Sequence, residues 1–144
     1  MSIPSVKAVE IGEGIAISSE LGSYVHDEIT IDGKSIRRKT NRAGGLEGGV
    51  SNGKDIVVRV FHKPISSLGS PLNTIDLKTK KATKALIERS DICVIPRAGV
   101  ISEAMLSFVL ANSFLEKFGS DTLVEIANSF SNYQKYLKTK LFYE

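Results

Sequence analysis

Two hydrophobic periodicities divide the chain. Over roughly the first two thirds, apolar and polar residues alternate in short runs, and this alternation predicts β-strands with one apolar face. The last third changes to apolar residues spaced three and four apart, a spacing typical of helices. Because strands come first and helices last, the pattern predicts an α+β fold, an antiparallel sheet with packed helices. We expect residues 1–144 to form a single domain.

The first third contains a strand and a hairpin. Apolar positions alternating from Val6 predict a strand that ends at Gly12, followed by a brief helix over residues 14–21. Alternating runs on both sides of Asp32-Gly33 predict a hairpin over residues 28–40. Asp-Gly favours such a turn because both residues tolerate positive φ.

The middle of the chain mixes strands with irregular segments. Residues 55–61 are β-branched or aromatic and predict a strand. Prolines and serines then predict an irregular loop over residues 64–71. A second hairpin follows, over residues 74–86, and its lysine-rich tip at residues 78–81 is interpreted as a solvated turn. Residues 89–99 are expected to be irregular.

Two helices close the chain. Apolar spacing predicts a largely buried helix over residues 100–118, ended by Gly119 in the left-handed conformation. Ser120 is placed to cap a second helix that continues to about Lys140. No heptad pattern or solenoid repeat accompanies these helices.

A glycine-dense stretch, residues 41–67, contains five of the twelve glycines of the chain. Glycine loses more backbone entropy on folding than any other residue, so this many glycines require a structural reason. We expect that reason to be close approach of the backbone to a ligand. Gly48, Gly53 and Lys54 nearly satisfy the phosphate-binding P-loop pattern, but Asp55 stands where that pattern requires Ser or Thr. A strand rather than a helix follows, so hydrolysis of a nucleoside triphosphate is rejected.

Composition is that of an ordinary globular protein, with 42% hydrophobic and 24% charged residues. The net charge of +3 suits a small anionic ligand without demanding a polyanion. The single cysteine, Cys93, is interpreted as a small buried hydrophobe in a reducing, cytoplasmic setting, and no metal-ligand spacing is found. We expect no apolar run to approach the ~20 residues of a bilayer span, and therefore no membrane association.

Five blocks of the sequence resemble the C-terminal part of the chorismate synthase family. They are VKAVEIGEG at 6–14, HDEI at 26–29, TNRAGGLEGGVSNG at 40–53, IVVRVFHKPISS at 56–67 and RSDICVIPRAGVISEAM at 89–105. The resemblance implies a flavoprotein lyase that converts 5-enolpyruvylshikimate 3-phosphate to chorismate in the shikimate pathway of aromatic amino acid biosynthesis. The implied cofactor is reduced FMN, used without net redox change, and the family is also associated with NADP.

The same resemblance implies the site residues. It matches Asp91 to a family aspartate near the flavin that assists proton movement, which makes Asp91 the catalytic candidate. It matches nine positions to FMN contacts: Pro4, Ser5, Gly48, Lys63, Pro64, Ile65, Ser66, Ser67 and Arg89. Pro4 stands where relatives carry asparagine, and proline removes both an amide side chain and a backbone N–H.

The resemblance covers the C-terminal half of the family sequence. The family's two catalytic histidines belong to N-terminal blocks that are absent here, and His26 and His62 do not align with them. His62 is interpreted as a structural or exposed residue rather than a general base. The implied fold is one lobe of a β-α-β sandwich assembled as a homotetramer. An isolated lobe is expected to be inactive and to self-associate through surface that meets the missing N-terminal half.

Two alternatives to the lyase remain. The chain could be a non-catalytic piece that retains flavin contacts or mediates oligomerisation. A basic nucleic-acid module is the other alternative, based on the basic residues at 37–42 and 78–84. Aromatic residues are not interleaved with these basic runs as base stacking requires, so no nucleic-acid partner is expected.

Overall fold

The computed structural model describes residues 1–33, 35–88, 93–119 and 121–141. The strands in these residues are β1 (Val6–Ile11), β2 (Ile29–Asp32), β3 (Ser35–Arg38), β4 (Leu46–Glu47), β5 (Val50–Ser51), β6 (Val58–His62), β7 (Asn73–Ile75) and β8 (Ala82–Lys84). The helices are a 3₁₀ helix (Gly14–Ser19), α1 (Gly22–Val25), α2 (Ile95–Phe118) and α3 (Leu123–Leu141).

The strands pair as four antiparallel ribbons, β1–β6, β2–β3, β4–β5 and β7–β8. Only β1–β6 joins segments far apart in sequence. Its register runs from Val6 opposite His62 to Ile11 opposite Val58, with an irregularity between Val6 and Ala8. Such a bulge bends a strand and redirects its side chains. The β1–β6 ribbon contacts α2 through β6 and the 3₁₀ helix through β1.

The α+β prediction is confirmed by this mixture of helices and short antiparallel ribbons. The strand from Val6, the hairpin within residues 28–40 and the irregular loop at 64–71 lie where the pattern predicted them. The second hairpin also forms, with shorter strands than expected. The brief helix predicted over residues 14–21 is a 3₁₀ helix at Gly14–Ser19, and β6 begins three residues later than the predicted strand.

Helix α2 differs from its prediction in extent and in burial. Residues 95–99 were expected to be irregular, but they form its first turn, where Pro96 needs no N–H partner. The expected burial is wrong as well: Ala98 is buried, whereas Val100 and Phe108 are each 67% exposed. Apolar residues surround α2 on all sides, and β6 and α3 cover only part of it. Spacing identifies apolar positions, but burial requires a packed partner.

An aromatic cluster joins α2 to α3. Phe114 and Phe118 of α2 lie 5.2 and 5.4 Å from the Phe130 ring, and Lys117 Nζ lies 3.9 Å from the Tyr133 ring centroid. The predicted left-handed Gly119 is wrong, because its φ and ψ are −58° and 146°, an extended conformation.

A reciprocal cap begins α3 two residues beyond the expected one. Glu125 N–H donates to Thr122 Oγ1 over 3.3 Å, and the Glu125 carboxylate accepts from Thr122 N–H over 3.1 Å. These two bonds are those of a capping box. The predicted cap, Ser120, lies outside the described residues.

Two expectations drawn from apolar runs are wrong. Cys93 is exposed rather than buried. Among the described helices, α2 is long and apolar enough by length and composition to cross a membrane, a test that core helices of globular proteins also pass. The expectation that no apolar run reaches that length therefore fails for α2, because Glu103 is the only charged residue within positions 98–115.

Candidate functional site

A cleft of about 650 Å³ lies at the end of the β1–β6 ribbon where β1 begins and β6 ends. Three segments line it: the turn at residues 3–5 before β1, residues 62–67 at the end of β6 and beyond it, and the first two turns of α2 with Val94. The β1–β6 pairing brings the first two segments together although more than fifty residues separate them in sequence. The cleft is thus a product of the long-range strand pairing.

Seven of the ten residues predicted for the site line this cleft. They are Pro4, Ser5, Lys63, Pro64, Ile65, Ser66 and Ser67. Gly48 is not among the lining residues and lies in the β4–β5 turn. Arg89 and Asp91 lie outside the described residues. The functional roles of all ten stay predictions.

A strained turn forms one wall of the cleft. Ser5 has a φ of 69°, a left-handed conformation uncommon for residues other than glycine. Two contacts with the end of β6 hold it. Lys63 N–H donates to the Ser5 carbonyl over 2.7 Å, and Ser5 Oγ lies 3.0 Å from His62 Nδ1. Left-handed residues of this kind persist only when their surroundings determine them, and they cluster at ligand sites.

The cleft combines positive charge with apolar walls. Lys63 and Arg97 line it from separate elements, and the described lining residues include no carboxylate. Ile3, Ile65 and Ile101 contribute apolar surface. Ammonium and guanidinium groups bind phosphate and carboxylate oxygens by charge-assisted hydrogen bonds. The cleft therefore has the chemistry to hold a flat, partly apolar molecule that carries an anionic group.

Sequence reasoning missed Arg97 as a cleft residue. It lies in the RSDICVIPRAGVISEAM block, but we expected that segment to be irregular up to Gly99. Pro96 was the available sign, because proline is common in the first turn of a helix. A helix beginning at Ile95 places Arg97 and Ala98 in that first turn, which lines the cleft.

The glycine loop lies at the other end of the same ribbon. Its glycines approach the chain's own backbone: a Cβ on Gly44 would lie 2.2 Å from the Gly12 nitrogen, and one on Gly45 would lie 2.4 Å from the Asp55 oxygen. Gly48 and Gly49 have φ of 58° and 81° and form the β4–β5 turn, with open space around them. For Gly44 and Gly45, the expectation of close approach to a ligand is therefore wrong.

A buried carboxylate clamps this loop. Asp27 is 6% exposed and accepts hydrogen bonds from Thr40 Oγ1, from Arg42 N–H over 2.8 Å and from Ala43 N–H over 2.9 Å. Burial raises the pKa of Asp27, but these hydrogen bonds and the nearby Arg38 charge outweigh it, so its pKa lies below the ordinary value. The HDEI and TNRAGG segments therefore meet in a structural contact.

The basic residues at 37–42 pair with carboxylates. Lys39 Nζ lies 2.7 Å from Glu28, Arg38 lies 2.8 Å from Glu47, and Arg37 lies 3.4 Å from Asp32. Arg42 lies 3.8 Å from Glu13. Each positive charge in this run has a negative neighbour, so the run does not present a continuous cationic surface.

The fold and cleft define an α+β protein in which cationic side chains of separate elements line one cleft. Comparison with known proteins identifies its family: the model of the chorismate synthase family matches residues 1–115. The chain belongs to the chorismate synthase family.

Individual relatives agree with this assignment. The chain is 53% identical over 139 residues to the chorismate synthase of Syntrophomonas wolfei, covering 96% of this chain and 35% of that protein. It is 48% identical over 141 residues to that of Alkaliphilus oremlandii, covering 97% and 37%. A crystal structure of chorismate synthase superposes with a TM-score of 0.70 at 38% identity, over 96% of this chain and 34% of that one. The chain spans about a third of the length of these relatives.

Proposed function

We propose that the chain supplies the C-terminal part of a chorismate synthase active site. The carrying observation is that seven family-matched positions, including Lys63, line one cleft together with Arg97. The reaction removes phosphate and one proton from 5-enolpyruvylshikimate 3-phosphate and forms a carbon–carbon double bond, so the electrons balance without net oxidation. Reduced FMN, when bound, would supply electron density to the substrate as its carbon–oxygen bond to phosphate breaks.

The residues of the cleft fit the chemistry of FMN. Lys63 and Arg97 would hold the flavin phosphate or a substrate anion, and fixed cations also stabilise the charge that develops on a leaving phosphate. Ser66 and Ser67 would add hydroxyl donors. The apolar side chains around them would exclude water from a flat ring.

The remaining assignments are carried by the family resemblance. Arg89 and Gly48 would also contact FMN, and Asp91 would assist proton movement. The family's catalytic histidines would come from sequence beyond this chain, so the 144-residue chain alone would bind flavin without turning over. A cytoplasmic location, a link to NADP and a homotetrameric assembly complete the proposal.

The proposal includes that α2 is a helix of a soluble protein and does not span a membrane. Arg97 lines the cleft near one end of α2, Glu103 lines a second cleft against β6, and Lys117 contacts the Tyr133 ring at the far end. Glu103 lies inside the apolar stretch of the helix, where a bilayer core would accommodate its charge only at high cost.

A titration of FMN against the 144-residue chain tests the proposal. Lys63→Gln and Arg97→Gln should each weaken FMN binding by about tenfold, the value of one lost charge-assisted hydrogen bond. Lys80→Gln on the β7–β8 tip is the matched control, because it removes the same charge from an exposed position outside the cleft. Equal affinities in all three variants would exclude the cleft as the flavin site.

A reconstitution experiment tests the catalytic part. The chain is mixed with the separately expressed N-terminal two thirds of a relative, and chorismate is assayed with reduced FMN and the substrate. We expect activity only in the mixture, and Asp91→Ala should lower its rate. Activity of the 144-residue chain alone would refute the proposal that the site is shared. Flavin binding with no activity in any mixture would favour the non-catalytic alternative.

A further inference from the structure

His62 is a titratable cleft residue to which the family resemblance assigns no role. It is the last residue of β6, is half-buried, and lines both the cleft at residues 3–5 and a second cleft of about 320 Å³ between β6 and α2. Its ring therefore stands between the two clefts.

Both ring nitrogens of His62 face serine hydroxyls. Nδ1 lies 3.0 Å from Ser5 Oγ in the turn before β1, and Nε2 lies 3.5 Å from Ser102 Oγ on α2. A hydroxyl can donate or accept, so either tautomer of the ring satisfies both contacts. His62 thus contacts two of the three walls of the cleft, the strained turn and α2. It is itself part of the third wall.

The Ser5 contact is the stronger of the two. At 3.0 Å it is an ordinary hydrogen bond, whereas 3.5 Å to Ser102 is at the limit for one. Ser5 also needs holding, because its φ of 69° is strained and its other described contact with β6 is the Lys63 N–H. The bulge between Val6 and Ala8 brings Val6 opposite His62 and so sets Ser5 beside the ring.

We propose that His62 is a positioning residue, which fixes the turn at residues 3–5 as a wall of the cleft through Ser5 Oγ. The inference rests on the proposed function in one respect: the ligand that this wall contacts is FMN. His62 acts on the ligand through Ser5, so its loss should lower affinity rather than remove binding.

Two uncharged variants of His62 separate the contacts. In His62→Asn the side-chain amide reaches the Nδ1 position and keeps the contact with Ser5. In His62→Gln it reaches the Nε2 position and keeps only the contact with Ser102. We expect the Asn variant to retain FMN affinity within about threefold and the Gln variant to lose about tenfold. Their thermal midpoints should agree with each other. Equal affinities in the two variants would overturn the proposal.

A double variant tests the path through Ser5. Ser5→Ala should weaken FMN binding at least as much as His62→Gln, because Ser5 also lines the cleft, and adding His62→Gln to it should cause no further loss, since the contact between them is already gone. Additive losses would show that His62 acts by another route and would overturn the proposal.

Ring-nitrogen NMR of His62 gives a readout that does not depend on flavin. Ser5→Ala should move the Nδ1 resonance, and Ser102→Ala should move the Nε2 resonance by a smaller amount. If the wild-type chain binds no FMN but Ser5→Ala moves Nδ1, the proposed function fails while the positioning contact stands. If Ser5→Ala leaves Nδ1 unmoved, the positioning role is refuted whether or not FMN binds.

Discussion

The two ends of the β1–β6 ribbon differ in whether their polar groups border an open volume. At the glycine loop, the Asp27 carboxylate accepts from backbone N–H groups, and Asn41 Oδ1 accepts from the Gly45 N–H. At the cleft, Lys63 and Arg97 line an open volume. Six residues of β1, at about 3.3 Å each, separate the two ends by about 20 Å. The polar groups of the glycine loop therefore serve the fold, and those that line the cleft are candidates for ligand contact.

The comparison teaches that glycine density is an ambiguous sign. Gly44 and Gly45 are needed because the backbone of another segment, at Gly12 and at Asp55, occupies the space of a Cβ. A ligand could require the same absence of a side chain, so the sequence does not separate the two causes. The cleft carries ordinary residue types, and it is the pairing of β1 with β6 that brings them together.

The largest expected effect tests the glycine-loop end of the β1–β6 ribbon. Gly44→Ala would place a Cβ 2.2 Å from the Gly12 nitrogen at a φ of 66°, so the two backbones must separate. We expect a loss of more than about 4 kcal/mol of unfolding free energy, measured by urea denaturation. Gly48→Ala is the matched control: its φ of 58° is similar but its surroundings are open, and it should cost about 1–2 kcal/mol. Equal losses would contradict the backbone contact.

The next effect comes from the buried carboxylate. Asp27→Asn replaces an acceptor by an amide that cannot accept from Arg42 and Ala43 N–H groups with both of its atoms. About 2 kcal/mol of stability should be lost, while FMN affinity should change little because Asp27 is not among the residues lining the cleft. A large loss of affinity without a loss of stability would show that the two ends are coupled.

The smallest effect is a pH dependence. Because the pKa of Asp27 is lowered in the folded chain from its ordinary value of 3.8, its contribution is present above pH 3.8 and is lost as pH falls through the folded pKa. Unfolding free energy should therefore decline in acid more steeply in the wild-type chain than in Asp27→Asn. Parallel acid profiles in urea titrations would show that Asp27 contributes no such dependence.

Much of the local structure could be predicted from the sequence. Alternation from Val6 and the Asp32-Gly33 turn identify a strand and a hairpin, because strand period and turn chemistry are local properties. The burial of α2 could not be predicted in the same way. Its apolar spacing is local, whereas burial depends on which elements cover it, and β6 and α3 cover only part.

The candidate site divides in the same manner. The family blocks predict Lys63 to Ser67 as a ligand-contact segment before any fold is known. They do not identify Arg97, whose place depends on where α2 begins, or His62, whose partners Ser5 and Ser102 lie 57 and 40 residues away. Contacts over such separations are decided by strand pairing and helix packing.

The sequence by itself determined the α+β class, the order of strands and helices and the family to which the chain belongs, since these depend on local pattern and on matched blocks. Only the tertiary structure decided which end of residues 41–67 meets the cleft. The pairing of β1 with β6 sends Lys63 to Ser67 to one end and Gly44 to the other. A pairing of distant strands obeys the geometry of the whole chain, so no single stretch of sequence contains it.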